Sequence, residues 1–452
     1  MKKKVDFLFV YEVKNRELEN ICLLRYELER RGYSVEFINT WYYRNKPIPK
    51  IKAHVLVSFA LYNDDVYSFV SKYCYEFKKI INLQWEQTVS IRDEKDPSSV
   101  YYIKGFPVKA VHIAWGIKTF ERLISCGVKK DNVKITGHIG MDFLHEKLNS
   151  YYMSREELFN LYNIPIDKEV CLFISSFSAA DSLGSDNSGK EKVDDSSQGL
   201  IAYDWYEYVS VSTLSQNAVL EWISRILQKR DDLVFVYRPH PAEYTSAEFI
   251  EMLADKKGLF AISDHSIAQW IRVCDVITVW HSTSLAEIFF GKKSCHILRP
   301  VEMPLEMELA LYKDAKLIST YREFERVFDN KSSDFPVDEV MIRKYYAQED
   351  GLNYINVCNA FEEIIEGDVH NHLSEIKYHC IIKTMKRIKR KLVCTKSMRF
   401  LSDIFKNHFS VFMRIYEFLN ADEYTRQMQR RNYATHDEIE AIIEKIRTCL
   451  EE

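Results

Sequence analysis

Short apolar runs alternate with segments of helical periodicity along most of this chain, and this alternation strongly limits the folds open to it. Residues 4–10 are an apolar run, residues 17–31 place apolar side chains on one helical face, and residues 34–38 form the next run. Such β-α-β units build parallel sheets with helices on both faces. The sequence therefore predicts an α/β protein with doubly wound sheets. The pattern recurs at 53–59, 79–83, 109–116 and 133–142, and again between 169 and 300.

The chain of 452 residues is too long for a single core. Pro165 and Asp167 mark a linker, and the alternation starts again at Glu169. We therefore predict two Rossmann-like domains facing a cleft, then a helical segment that packs back on the first domain, then a basic helical tail. The predicted bounds of these four parts are 1–165, 166–335, 336–368 and 369–452.

Charge and cysteine content narrow the class of protein. The net charge is only −4, which gives no reason to expect nucleic acid as a partner. The 10 cysteines include no Cys-x-x-Cys pair, and no secretory leader precedes Val5. No apolar run is long enough to cross a bilayer. These features predict a cytoplasmic protein with reduced thiols and without structural zinc.

Two apolar runs in the second half end in polar tips, which in a parallel sheet reach the carboxyl edge where ligands bind. The later tip carries His281, Ser282, Thr283 and Ser284 in front of an apolar helix that contains Glu287. Hydroxyl and N–H groups at a helix start can hold phosphate, and Glu287 is placed to accept hydrogen bonds from a ribose. The spacing Ser284-x-x-Glu287 also fits a capping box that needs no ligand.

The earlier tip is the sequence Arg238-Pro239-His240-Pro241. Two prolines stiffen this tip and remove backbone donors. The His240 side chain is therefore the expected contact with an anionic ligand, and Arg238 is a further cation beside it. A buried structural histidine is the alternative interpretation of His240.

In the first domain, carboxylates follow two of the predicted strands. Glu12, Arg16 and Glu17 lie in the loop after the first strand, which lacks the glycines of a dinucleotide-binding loop. Glu86 follows a later strand beside Trp85, and an aromatic wall can raise a carboxyl pKa toward the range of a general acid or base. Most Trp-Glu neighbours have no such role. We predict Glu86, and after it Glu12, as catalytic groups, and Glu17 as a helix-capping charge.

Four of these stretches together resemble the bacterial surface-carbohydrate biosynthesis transferases. This family is similar in pattern to capsule Kdo transferases and CDP-glycerol glycerophosphotransferases, within the GT-B glycosyltransferases. The resemblance spans residues 5–365 and leaves the tail uncovered. It rests on Tyr11-Glu12 with Arg16-Glu17, Trp115-Gly116 with Thr136-Gly137 and Asp142, Arg238-Pro239-His240-Pro241, and Ser282-Thr283-Ser284 with Glu287.

The resemblance implies a GT-B fold whose second domain binds a nucleotide sugar. It implies that His240, Ser282, Thr283 and Ser284 hold the donor phosphates and that Glu287 holds the ribose. The sequence has no Asp-x-Asp motif, which agrees with metal-independent chemistry that needs no cofactor. It also departs from members with a Gly-Gly-x-Ser phosphate loop, which leaves the donor nucleotide open.

The expected function is transfer of a sugar from a nucleotide-sugar donor onto a growing surface polysaccharide or lipid-linked glycan. Two alternatives stay open at this point. One is a non-hydrolysing UDP-sugar 2-epimerase, which shares the two-domain layout and needs no acceptor. The other is a catalytically silent subunit of a glycan-assembly system.

Two further segments differ in composition from both domains. Residues 178–200 are polar and lack periodicity, which is typical either of a loop that closes over substrate or of an idle insertion. The basic run 383–391 precedes aromatic and aliphatic residues at helical spacing in 400–418. That pattern favours a peripheral helix on an anionic membrane surface. A solvated helical hairpin or a homo-oligomer contact is the alternative.

Overall fold

The computed structural model describes residues 3–44, 46–180, 200–240, 243, 257–329, 335–347, 352–367 and 428–451. Within these residues, two sheets of six parallel strands form the centres of two domains. The predicted α/β class, with two Rossmann-like sheets, is therefore confirmed.

The first sheet has the strand order β2-β1-β3-β4-β5-β6. Its register pairs Phe9 of the central strand with Phe37 on one side and Val57 on the other. The elements of this half are β1 (Lys3–Tyr11), α1 (Lys14–Arg30), β2 (Val35–Asn39), β3 (Ile51–Ser58), α2 (Asp64–Ser71), β4 (Glu76–Asn82), α3 (Ile91–Lys95), β5 (Val111–Ala114), α4 (Ile117–Ser125), β6 (Val133–Ile135) and α5 (Arg155–Leu161).

The second sheet has the order β12-β11-β10-β7-β8-β9. Read from β9, this is the strand order of a dinucleotide-binding Rossmann sheet. Its elements are β7 (Glu169–Ile174), α6 (Leu200–Lys229), β8 (Leu233–Arg238), β9 (Leu259–Ala261), α7 (Ile267–Val273), β10 (Val276–Val279), α8 (Leu285–Phe290), β11 (Cys295–Leu298), β12 (Leu317–Ile318), α9 (Tyr321–Asp329), α10 (Glu339–Tyr345) and α11 (Asn353–Glu366).

The central strands are apolar on both faces because helices cover both sides of each sheet. Residues 170–174 of β7 and 233–237 of β8 are buried without interruption. Helix α1 is also extensively buried, and its buried residues include the polar Glu17, Asn20 and Glu27 beside apolar side chains such as Leu18 and Leu28. The strand runs in the sequence therefore predicted the sheets well. They missed the short edge strands β9 and β12, which pair with β8 through three residues and with β11 through two.

Main-chain hydrogen bonds join the two domains directly. The N–H of Ile91 donates to the carbonyl of Glu308 at 2.8 Å, and the N–H of Ala310 donates to the carbonyl of Val89 at 2.9 Å. Ser90 and Leu309 form an antiparallel bridge between them. This contact brings the carboxyl edge of the first sheet to the carboxyl edge of the second.

Helices α10 and α11 return from the second domain and pack on the first. The buried carboxylate of Asp142 accepts the main-chain N–H groups of Asn353 and Tyr354 at 2.9 and 2.6 Å, so it caps the start of α11. A Cβ added to Gly116 would lie 2.5 Å from the carbonyl oxygen of Lys344. The motif around residues 115–142 therefore holds this returning segment.

Residues 428–451 also pack on the first domain. They form a helical turn at 428–432 and then α12 (His436–Glu451), whose buried face consists of Ile439, Ile443 and Ile446. Arg25 of α1 pairs with Glu440 at 2.9 Å. The prediction of a basic tail from 369 onward does not hold here, because α12 has more acidic than basic residues and protein covers its apolar face.

Other predictions fall on parts of the chain that are not described. These are residues 181–199 of the polar loop, the basic run 383–391 and the segment 400–418. In the described residues, no helix combines the length and apolar character needed to cross a bilayer. The cysteines at described positions are free thiols.

Candidate functional site

In a doubly wound sheet, ligands bind beyond the carboxyl ends of the strands, at the point where the strand order reverses. In the first sheet that point lies between β1 and β3, and in the second sheet between β7 and β10. The predicted carboxylates follow β1 and β4, and the predicted donor tips follow β8 and β10. The predicted residues therefore lie at the two edges where a ligand is expected.

The β8 tip (residues 238–243) is organised around the buried carboxyl group of Glu243. The hydroxyls of Ser175 and Tyr237 donate to it at 2.5 and 2.6 Å. The side-chain amide of Gln216 donates at 3.2 Å, and the main-chain N–H of His240 donates at 2.9 Å. Four donors fill the acceptor capacity of this carboxyl group and fix the conformation of the tip. The sequence analysis missed Glu243, although the spacing His240-x-x-Glu243 pointed to a local side-chain cap.

His240 stands at the exposed end of this tip. Loss of hydration within the surrounding protein lowers the pKa of the ring. The positive charge of Arg431 lowers the pKa further, whereas the negative charge of Glu86 raises it. The imidazole is therefore mainly neutral at pH 7. It lies within electrostatic reach of a carboxylate on the opposite domain.

Arg238 does not point toward a ligand. Its guanidinium donates to the carbonyls of Ile262 and Asp264 at 3.4 and 2.6 Å, and also to the carbonyl of His265. Burial of this group lowers its pKa to about 10. Arg238 thus ties the β8 tip to the loop after β9. Its predicted role as a phosphate ligand stays a prediction, with a guanidinium that is already occupied.

The β10 tip has a different character from the β8 tip. The Tyr312 hydroxyl donates to the carbonyl of Ser282 at 2.8 Å, and the N–H of Ser282 donates to that hydroxyl at 3.1 Å. The N–H of Ser284 donates to the Ser282 hydroxyl at 3.2 Å. Several N–H groups expected to face an anion are therefore used within the tip. Thr283 is the exposed member of this group.

His281 is enclosed within the second domain. Its Nε2 lies 3.5 Å from the carboxylate of Glu308, which forms a buried ion pair with Arg299 at 2.8 Å. Burial lowers the pKa of His281 to about 3, with Arg299 as the next cause. The ring packs edge-on against Trp280 and Tyr312. These are the surroundings of a packing residue, and phosphate binding by His281 stays a prediction.

A comparison of two Ser-x-x-Glu sequences shows whether Glu287 takes part in a capping box. At Ser154-x-x-Glu157 both hydrogen bonds of a capping box are present. At Ser284-x-x-Glu287 the serine makes no capping hydrogen bond. Burial raises the pKa of Glu287 to about 7, and the nearby Ser284 hydroxyl opposes this shift. The capping-box alternative is therefore wrong for this pair. Ribose binding by Glu287 stays a prediction.

The opposite edge carries a chain of charges. Arg16 donates to Glu17 at 2.8 Å and to Glu86 at 2.5 Å. The fully buried Glu17 also accepts the N–H groups of Glu12 and Val13 at 2.8 and 3.2 Å. Glu17 therefore holds the loop at the start of α1, as predicted. Glu86 is half-exposed, with 49% of its side-chain surface open to solvent.

The environment of the candidate bases differs from the sequence interpretation. Trp85 is buried with its ring against His138, whereas Glu86 faces solvent and pairs with Arg16, so Arg16 is the neighbour that holds Glu86. Burial raises the pKa of Glu12, and the charge of Glu86 raises it further, while Arg16 opposes both. Glu12 thus joins the fully buried Glu17 as a carboxyl group of this edge whose pKa the protein raises. The assignment of either residue as catalytic stays a prediction.

Metal ligation was not expected. In the part of the chain that the structure describes, no group of three or more His, Cys, Asp or Glu side chains is arranged to hold a metal ion. Metal-independent chemistry stays a prediction, because other groups can join a metal site when substrate binds.

Comparison with known proteins supplies the fold but not a family. No protein-family model matches the chain, and no curated protein matches it in sequence. A variant of the wall teichoic acid polymerase TagF matches in structure with a TM-score of 0.52 and 12% identity, over 81% of this chain and 89% of that one. This chain has the GT-B fold.

Two other solved structures extend the comparison. TagF soaked with CDPG matches the GT-B chain with a TM-score of 0.50 and 12% identity, over 81% of this chain and 90% of that one. A UDP-GlcNAc 2-epimerase from Methanocaldococcus jannaschii, in complex with UDP-GlcNAc and UDP, reaches a TM-score of 0.43 at 12% identity. That alignment covers 75% of this chain and 97% of the epimerase. At 12% identity the likeness to TagF establishes the fold alone.

Proposed function

We propose that this GT-B protein is a glycosyltransferase. It transfers a sugar from a nucleotide-sugar donor to a growing surface polysaccharide or lipid-linked glycan. One observation carries the proposal: the His240 tip of the second domain faces Glu86 of the first, near enough for the carboxylate charge to act on the imidazole. A phosphate-binding tip opposite a carboxylate is the arrangement that transfer to a hydroxyl requires.

The reaction divides between the two edges. The donor diphosphate binds at the β8 and β10 tips, where His240, Thr283 and Ser284 supply hydrogen-bond donors, and Glu287 accepts from the ribose. The acceptor hydroxyl attacks the anomeric carbon, the bond from that carbon to the phosphate oxygen breaks, and the nucleoside diphosphate leaves. A first-domain carboxylate takes the hydroxyl proton.

Glu86 is the candidate for that carboxylate, because its charge reaches His240 across the cleft. Glu12 is the second candidate, because its pKa is raised by burial and it lies beside Glu86. We expect Glu86→Gln to lower kcat by about 100-fold or more while leaving donor binding intact. If only Glu12→Gln has this effect, the base is Glu12. If neither variant loses activity, the assignment of the base to this edge is wrong.

The test of the function uses the full-length protein with CDP-, UDP-, GDP- and dTDP-linked sugars as donors. Release of nucleotide that depends on added glycan acceptor is the expected result. Appearance of an epimer with donor alone would identify a 2-epimerase. Absence of donor binding in thermal-shift measurements, together with no turnover, would identify a silent subunit.

Membrane association belongs to this proposal as well. A glycan-polymerising enzyme that acts on a lipid-linked acceptor works at the inner membrane surface, and the basic run 383–391 has the composition to bind anionic lipid. Co-sedimentation with vesicles of anionic lipid should fall to the level of neutral vesicles when the lysines and arginines of this run are replaced by glutamine. Unchanged sedimentation would overturn the membrane role.

A further inference from the structure

A diphosphate is anionic, yet the residues predicted to bind it bring little positive charge to the cleft. Arg238 is occupied by three main-chain carbonyls. His281 is buried, with a pKa of about 3, and the His240 imidazole is mainly neutral. Arg16 pairs with two carboxylates. Binding of a leaving diphosphate favours a nearby cation, so a further arginine at this edge would strengthen the site.

The C-terminal segment (residues 428–434) lies at this position. The carbonyl of Asn432 accepts from the Asn39 side chain at 2.9 Å, at the end of β2. Its side-chain oxygen accepts the N–H of Lys14 at 3.3 Å, at the start of α1. The N–H of Ala434 donates to the Tyr11 hydroxyl at 3.3 Å, at the end of β1. The segment is therefore fixed on the carboxyl edge of the first sheet.

Two further contacts keep the segment in place. Gln429 donates to the carbonyl of Trp41 at 2.9 Å, and Tyr433 stacks on Tyr42 with ring centroids 3.9 Å apart. Asn432 is buried, whereas the adjacent Arg431 is exposed. The contact of Asn432 with Lys14 lies two residues from Arg16, the partner of Glu86. Arg431 thus belongs to a docked segment at the same edge of the first sheet as Arg16 and its partner Glu86.

We propose that Arg431 binds the diphosphate of the donor together with His240, so that the C-terminal segment completes the donor site. This inference rests on the proposed function. The electrostatic influence of Arg431 on the His240 ring agrees with their closeness. An arginine fork can hold two phosphate oxygens at once, which a lysine cannot reproduce.

The experiment compares Arg431→Ala and Arg431→Lys with a matched control, Arg447→Ala, in the full-length protein. Arg447 lies on α12 and pairs with Glu444 on the exposed side, so its loss changes the net charge equally without touching the cleft. The probes are UDP, CDP and inorganic pyrophosphate, with uridine and cytidine as uncharged references. Binding is measured by calorimetry at two salt concentrations.

We expect Arg431→Ala to weaken binding of pyrophosphate, and of whichever nucleotide the wild type binds, by about 10- to 100-fold. Nucleoside binding should not change, and the salt dependence of nucleotide binding should become shallower. Arg431→Lys should show a smaller loss, and Arg447→Ala none. A melting temperature equal to that of the wild type shows that the segment stays docked.

The outcomes separate this inference from the function on which it rests. If the wild type binds a nucleotide and Arg431→Ala binds it equally well, Arg431 has no role and the proposed function stands. If Arg431→Ala also weakens nucleoside binding, or if Arg447→Ala has the same effect, the contact with phosphate is refuted. If the wild type binds no nucleotide, the proposed function fails, and the inference fails with it.

Discussion

The two donor tips of the second sheet look alike in sequence but are built for different tasks. Each follows an apolar strand and carries a histidine and polar residues at the same edge. At the β8 tip, the buried Glu243 accepts hydrogen bonds from Ser175, Tyr237 and the backbone of His240, and the His240 side chain is exposed. At the β10 tip, His281 is enclosed beside the buried pair of Arg299 and Glu308.

The difference shows that position at a ligand edge does not by itself make a ligand residue. A side chain can bind only if other groups satisfy the backbone around it and leave its polar atoms facing the cleft. Glu243 performs this task for the β8 tip. Tyr312 performs it for the backbone of Ser282 at the β10 tip, where the exposed side chain is that of Thr283.

Replacement of each histidine by alanine is the strongest test of this difference between the two tips. We expect His240→Ala to lower kcat/KM by about 100- to 1,000-fold, because it removes a hydrogen bond to the leaving group, with no change in melting temperature. His281→Ala should instead lower the free energy of unfolding by about 2–3 kcal/mol through lost packing. Steady-state kinetics and thermal denaturation of both variants measure the contrast. Equal kinetic defects in the two variants would contradict it.

Removal of the acceptor beneath His240 should have the next largest effect. In Glu243→Gln the new amide group meets donors from Ser175 and Tyr237, which leaves buried donors without partners. We expect a loss of about 1–3 kcal/mol in the free energy of unfolding. Donor turnover of the folded fraction should also fall by about 10-fold, because the tip loosens. Unaltered turnover would show that the tip holds its conformation without Glu243.

The raised pKa of Glu287 predicts a pH dependence. Its pKa rises from 4.5 to about 7 on folding, so the folded protein retains a proton that the unfolded chain releases. The stability from this group is complete below pH 4.5 and is lost as the pH rises through about 7. The free energy of unfolding of the wild type, relative to that of Glu287→Gln, should therefore fall by about 1–2 kcal/mol between these limits. The fall is smaller than the full pKa shift implies, because partial exposure screens the charge. Denaturant unfolding at pH 5 and pH 8 measures it. An equal difference at both pH values would refute the assignment.

The smallest expected effect is the difference in stability loss between serine substitutions in the two Ser-x-x-Glu sequences. Ser154→Ala removes a formed capping box and should cost about 1 kcal/mol of stability without any effect on turnover. Ser284→Ala removes a hydrogen bond to Glu287 but no capping hydrogen bond, so the stability loss should be smaller than at Ser154 while the KM for donor rises. Chemical denaturation and donor titration provide the measurements. A stability loss at Ser284 as large as that at Ser154 would restore the capping interpretation.

The sequence predicted the two sheets because most of their strands contain apolar runs that end at polar tips. It also predicted that Glu17 would serve the loop before α1. Two features escaped prediction. The role of Glu243 depends on Ser175 and Gln216, which lie on other elements and meet it only after folding. Arg238 was predicted to bind the ligand. Its actual partners are carbonyls of residues 262–265, which are distant in the sequence and meet the guanidinium only after folding.

The end of the chain was misjudged for a different reason. The basic run 383–391 dominates the composition of the last quarter. The whole of 369–452 was therefore predicted to be a basic tail. The spacing of Ile439, Ile443 and Ile446 already indicated a helix with one apolar face. What it packs against was not in the local sequence, because α1 lies some 400 residues away in the chain. Asn432 and Tyr433 likewise gain their contacts only through this long-range docking.

The most direct test of the account is a crystal structure of the full-length protein with the nucleotide donor that it binds. We predict the diphosphate at the carboxyl edge of the second sheet, with a phosphate oxygen in hydrogen-bond contact with His240 and the sugar facing Glu86. A nucleotide bound away from the β8 tip, with His240 making no contact to it, would contradict the account.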